Sequence, residues 1–208
     1  MRRNYNEKLL VQGSDGKWFY RNYENQSALT ATQACEALQL YWNMVPEDKI
    51  DDIVACFKRT LEEKGAFASG EVGLPYIIQT ASRYSMDEQI AEYITRPEHP
   101  SYYAFVKDGM TTLGEYWENN PRSHCHDMMG HIIEWYYSGI AGIKALEPGF
   151  KRISVMPHMP KSMNSFHCSY ETPLGTITVD GRREQGEPVY EICVPDGMIL
   201  DSCDMGNR

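Results

Sequence analysis

The sequence predicts an α+β chain, with helical hairpins through about residue 147 and a small β-rich domain over residues 148–208. Three observations carry that reading. Up to about residue 147 the apolar residues recur at i, i+3 and i+4, the spacing of helices with one buried face. A largely apolar helix is followed by an amphipathic one, and the pattern recurs, as in stacked helical hairpins. From Lys151 the runs turn β-branched and aromatic and are punctuated by Pro and Gly.

Taken in order, Asn4 to Leu10 reads as a helix end, and Gly13-Ser14-Asp15-Gly16 as a turn. Residues 28–44 form a helix candidate. Its stripe is Ala31, Ala34, Cys35, Leu38, Tyr41 and Trp42, widened by Ala28, Leu29, Ala37 and Leu40. Pro46 suits a first helical position, and Glu47 and Asp48 suit the positive end of the helix dipole. Ile50, Ile53, Val54, Phe57 and Leu61 make an amphipathic stripe that Gly65 would stop. Residues 73–84 read as a buried helix. Ser85-Met86-Asp87-Glu88 reads as a capping box ahead of Ile90, Tyr93 and Ile94. Arg96 to Asn120 is expected to be a loop, and its length together with its aromatic content suggests a functional one. A last helix is expected over about His126–Ala141. Strands are expected at 151–156, 164–170, 174–180 and 188–194, and a sheet of that size needs helices to pack on.

Composition narrows the function. The chain has 208 residues, 20 Lys+Arg and 29 Asp+Glu, for a net charge of −9. Acidic chains repel phosphate backbones, so nucleic acid is an unexpected partner. No apolar run approaches the roughly 20 residues that span a bilayer, so no membrane is expected either. The start, MRRNYNEKLLVQG, lacks the apolar core of a signal peptide, so the expected location is cytoplasmic. Six scattered cysteines without a CxxC pair fit reduced thiols. Aromatics at 12% among abundant acids suit a carbohydrate site, where rings meet apolar sugar faces, but they also suit a core.

Three segments could carry chemistry. In Gly109–Glu118, Glu115 and Glu118 lie three apart beside Tyr116 and Trp117. They are either surface acids at a helix start or a partly desolvated pair suited to proton transfer. Ser123–His131 holds His124, Cys125, His126 and His131. It could be read as a zinc site, but it lacks the i, i+4 histidine pair of a helical zinc motif. A helix entry with one substrate-facing histidine fits better, and neither metal nor cofactor is expected. Tyr102-Tyr103 after Pro100 is a sugar platform or loop packing.

In this order the segments resemble bacterial α-L-rhamnosidases of the six-hairpin (α/α)6 type. The resemblance rests on Thr32-Gln33-Ala34, Gly73-Leu74-Pro75-Tyr76, Pro100 to Trp117, and His124-Cys125-His126 followed by Glu134-Trp135. It continues through Ala141-Gly142-Ile143 and Pro148-Gly149-Phe150-Lys151-Arg152. No single motif is decisive, but the ordered set covers roughly residues 4–196. It implies the second half of an (α/α)6 six-hairpin barrel followed by a small antiparallel β-sandwich. The domains would be 1–147, a partial catalytic domain, and 148–208, the C-terminal sandwich. It also implies an inverting glycosidase acting on terminal α-L-rhamnosyl residues of a glycoside or oligosaccharide. Glu115 falls on the family's general base, and His126 on a histidine that contacts sugar hydroxyls. Tyr102 stands where the family has Trp, near the site. Trp117 and Glu118 would complete the binding wall.

Two departures bear on activity. Gly114 stands where the family usually has Trp, removing a wall beside the base. The family's upstream acidic segment, which carries the general acid, has no counterpart here. The chain therefore resembles a piece carrying the base without the acid, and a second polypeptide supplying the N-terminal half of the barrel is one way to complete it. On its own it is expected to bind sugar weakly and turn over little or nothing. Other readings are a non-catalytic carbohydrate-binding or assembly fragment of the same fold, a six-hairpin hydrolase for another sugar, and a zinc protein.

Overall fold

A computed structural model of the chain describes residues 1–21, 31–118 and 121–201. The residues divide into two compact units, one of residues 1–84 and 92–131, the other of residues 85–91 and 132 onward.

The first unit is helical. Helix α1 (Arg2–Leu9) leads into a hairpin of β1 (Leu10–Gln12) and β2 (Trp18–Tyr20), with Leu10 opposite Tyr20. The Gly13–Gly16 turn closes it, and Gly16 holds a positive φ of 79° that glycine adopts without a Cβ clash. Helix α2 (Gln33–Tyr41) starts where the Thr32 hydroxyl accepts the Cys35 N–H at 3.1 Å. Residues 28–30 of the expected helix lie outside the described residues.

The buried face of α2 keeps Ala37 and Leu40 of the expected apolar face but replaces the rest of the stripe with polar residues. Gln33, Glu36, Ala37, Gln39 and Leu40 are buried, and Trp42 is 60% exposed. The inward polar groups have partners distant in sequence. The Gln33 amide donates to the carbonyls of Thr60 and Ala66 and accepts from the Ala68 N–H. The Glu36 carboxylate accepts the Tyr20 N–H at 3.0 Å. Helix α3 (Ile50–Lys64) follows expectation, burying Ile53, Cys56, Phe57 and Leu61 and ending on left-handed Gly65. A short 3-10 turn, Glu47–Lys49, precedes it. Helix α4 (Leu74–Arg83) buries Leu74, Ile77 and Ile78.

Helix α5 (Asp87–Thr95) begins without the expected capping box. Ser85 has a φ of 58°, and the Glu88 carboxylate accepts the Lys161 N–H instead. The expected long loop contains a helix, α6 (Tyr102–Lys107), whose start is fixed by the Ser101 hydroxyl donating to the Ile94 carbonyl.

In the second unit the last helix is shorter and wider than expected. A 3-10 turn (Asp127–Met129) belongs to the first unit. Helix α7 (Ile132–Trp135) then widens into a π-turn over Tyr136–Ile140. Inside α7 the buried Trp135 indole N–H donates to Asp87 Oδ1 at 2.8 Å.

The β region forms two sheets. One orders β3 (Ile143–Ala145), β4 (Arg152–Val155) and β8 (Ile199–Leu200). The other orders β5 (Ser165–Thr172), β6 (Gly175–Glu184) and β7 (Glu187–Cys193) and is antiparallel throughout. The β4–β8 pairing is parallel, a departure from the all-antiparallel expectation, and β3 and β8 are too short to show a pattern in sequence. Ile143, Ile153 and Val155 from one sheet meet Ile177 and Val179 from the other in a shared core.

Candidate active site

The candidate site is built in the first unit from the segment after α6. Gly109, at a φ of 78°, ends that helix as its N–H meets the Val106 carbonyl. The chain then runs alongside residues 123–126. The Thr112 hydroxyl donates to the His124 carbonyl, the His126 N–H to the Leu113 carbonyl at 3.0 Å, and the Glu115 N–H to the Ser123 carbonyl at 2.9 Å. Main-chain bonds thus hold Glu115 and His126 on adjacent strands of a loop pair.

Trp117 anchors this segment. It is 9% exposed, and its indole N–H donates to the Ser69 carbonyl at 2.9 Å. Its ring stacks on Phe105, with centroids 6.4 Å apart, and meets Tyr102 edge-on at 5.3 Å. Aromatic pairs at such distances contribute beyond the area they bury. The Tyr102 hydroxyl donates to the Met129 carbonyl, tying the 127–129 turn to the same cluster.

Glu115, Trp117 and Glu118 line one cleft of about 420 Å³. Its other wall residues are Lys64, Phe67, Ala68, Ser69, Gly70, Pro100, Tyr116, Met128 and Met129. Glu115 is half-buried and Glu118 is exposed. His126 and Tyr102 are not on the cleft wall. His126 pairs its main chain with Leu113, two residues before Glu115, and Tyr102 meets the Trp117 ring edge-on. Gly114 leaves no open space where a bulkier residue would stand. It is buried, and a Cβ there would lie 3.7 Å from Met110 and 3.8 Å from Phe105. Sequence reasoning missed Lys64, the one cation on this wall among the described residues, because it reads only as the polar end of an amphipathic helix.

The most perturbed carboxyl lies outside this cleft. Burial pushes the Glu36 carboxyl up to about 8 against the opposing help of the Tyr20 N–H. It links α2 to β2. Among the described residues no group of three or more His, Cys, Asp or Glu side chains is placed to hold a metal ion.

Residues 1–140 match the model of the bacterial alpha-L-rhamnosidase 6 hairpin glycosidase domain. Residues 142–199 match that of the bacterial alpha-L-rhamnosidase C-terminal domain. An alpha-L-rhamnosidase of Formosa agariphila is 28% identical over 203 residues, 92% of this chain and 20% of the relative. One of Alteromonas sp. (strain LOR) is 25% identical over 71% of this chain and 17% of its own length. The chain thus spans about a fifth of the curated relatives it matches. Among solved structures, the alpha-L-rhamnosidase of Dictyoglumus thermophilum superposes with a TM-score of 0.83 at 27% identity, covering 95% of this chain and 22% of that one. The Streptomyces avermitilis enzyme complexed with L-rhamnose has a TM-score of 0.82 at 20% identity, covering 96% and 19%, a likeness of fold.

Proposed function

We propose, because the chain belongs to the bacterial alpha-L-rhamnosidase six-hairpin glycosidase family, that it contributes one half of the active site of an inverting hydrolase for terminal α-L-rhamnosyl residues. The carrying observation is that Glu115, Trp117 and Glu118 share one cleft, with Glu115 held by main-chain bonds to the His126 segment. In an inverting displacement one carboxylate draws a proton from water as it attacks the anomeric carbon. A carboxylic acid on the opposite face protonates the departing oxygen, the two roughly 6.5–9.5 Å apart. Glu115 is the base in this reading. Its backbone cannot swing away from an incoming water, which favours a fixed attack direction.

Glu118 and Trp117 form the wall against which the sugar lies, Tyr102 holds Trp117 in place, and His126, off that wall, secures the Glu115 segment through its N–H to the Leu113 carbonyl. The acid comes from elsewhere in the complete enzyme, on the same polypeptide or a second one. Residues 1–147 are the partial catalytic domain and 148–208 the sandwich. No helix among the described residues is long and apolar enough to cross a membrane. The free thiols of Cys35, Cys56, Cys125, Cys168 and Cys193 support a reducing, cytoplasmic setting.

The test is nitrophenol release from p-nitrophenyl α-L-rhamnoside by the purified chain and by Glu115→Gln. The expected result is rhamnose binding without release from either protein. Release by the parent that the variant loses would put an acid within these residues and overturn the half-site.

A further inference from the structure

The second unit holds a cavity of about 310 Å³ between the α7 π-turn and the start of β5. We propose that it is a second carbohydrate-binding site, taking a single neutral sugar residue. Its residues are all outside the Glu115 cleft, and the inference does not rest on that cleft being catalytic.

Four observations converge. The volume is at the lower end of ligand pockets, about 300–1,000 Å³, and suits one ring rather than a chain of them. The walls combine the rings of Tyr136, Tyr137 and Phe166 with the hydroxyls of the two tyrosines. That is the mixture a sugar needs, since its C–H face is apolar and its edge carries hydroxyls. Among the described residues no Asp, Glu, Lys or Arg lines the cavity, so a charged ligand would be desolvated without a counter-ion from them. The π-turn widens the helix so that adjacent Tyr136 and Tyr137 both reach the wall, and such turns concentrate at functional sites.

The polar groups are available. Burial raises the Tyr136 phenol above its ordinary range, yet neither tyrosine hydroxyl has a hydrogen bond among the described residues. His167 Nδ1 lies 2.7 Å from Asp180 Oδ1, its register partner on β6. That pair lies on the face of β5 and β6 away from Phe166, so the cavity's hydroxyls are those of the tyrosines. The Phe166 ring lies against Gly181, where a Cβ would come within 2.3 Å of it. The glycine leaves room for that ring.

Methyl NMR of labelled methionines tests the proposal. Met163 reports on this cavity, and Met128 and Met129 report on the Glu115 cleft. Titration with methyl α-L-rhamnoside is expected to shift Met163 saturably in the millimolar range. Tyr136→Phe and Tyr137→Phe are each expected to weaken that response about three- to tenfold, as loss of one hydrogen bond does. Neither variant should alter Met128 or Met129. Methyl β-D-glucuronide, which is charged, should leave Met163 unmoved. A Met163 methyl that stays put to tens of millimolar, is indifferent to both variants, or responds equally to the glucuronide overturns the proposal. Movement of Met128 and Met129 alone overturns this site and leaves the Glu115 cleft standing. Movement of Met163 alone does the reverse.

Discussion

At the residue scale, the buried Glu36 carboxyl is the group most altered by folding. Its ordinary value is 4.5, and desolvation raises it to about 8. The folded chain therefore holds a proton that the unfolded chain releases between those values. Stability falls as pH rises through that window, by up to about 1.4 kcal/mol per pH unit, and levels off above it. Glu36→Gln keeps an oxygen for the Tyr20 N–H and removes the titration. Urea unfolding across the window should show a falling midpoint for the parent and a flatter one for the variant; equal slopes would mean Glu36 is already solvated. The same burial pushes the Cys56 thiol up to about 12, so it forms little thiolate near neutrality. Peptide mapping after brief iodoacetamide treatment should find the exposed Cys125 and Cys193 alkylated and Cys56 protected.

At the element scale, the second unit depends on two local constraints. The Trp135 indole meets the buried Asp87 carboxylate, so Trp135→Phe removes a donor from a buried acceptor. That should cost about 2 kcal/mol in chemical denaturation. Gly142 joins the π-turn to β3 at a φ of 70°, and a Cβ there would fall 2.0 Å from the Met156 carbonyl oxygen. Gly142→Ala should destabilise by about 2 kcal/mol or more, from backbone strain plus displacement of the residue that follows β4. The Glu115 loop pair behaves differently, because main-chain groups supply two of its three bonds. Glu115→Gln should leave its circular dichroism and melting temperature unchanged, which makes it a clean probe of chemistry.

At the scale of the whole molecule, the chain carries a net charge of −9 and spans about a fifth of its curated relatives. A half-site that holds sugar must be stabilised by it through mass action. L-Rhamnose at ten times its dissociation constant should add about 1.4 kcal/mol of stability. Scanning calorimetry with and without the sugar reads this directly, with an equal concentration of mannitol as the osmolyte control. A melting temperature that rises no more in rhamnose than in mannitol would deny the chain any sugar site.

What the sequence determined by itself is what local chemistry dictates. The stripe of α3 and its stop at Gly65, the hairpin turn at residues 13–16, the strands β4 to β7 and the order of the rhamnosidase-like segments were all legible. Each depends on neighbours within a few positions. So was the proximity of Glu115, Trp117 and Glu118, which lie on one short segment. Other features depend on residues far apart in the chain, and only the tertiary structure decided them. Gln33 and Glu36 face inward because Thr60, Ala66, Ala68 and Tyr20 satisfy their polar groups, against every rule of periodicity. Ser85 does not cap α5, because its backbone is left-handed and Glu88 serves Lys161. Trp117 is an anchor between Ser69, Phe105 and Tyr102, and Lys64 joins its cleft from another helix. A buried polar group costs free energy until a partner reaches it, and which partner does so is settled only when distant segments meet.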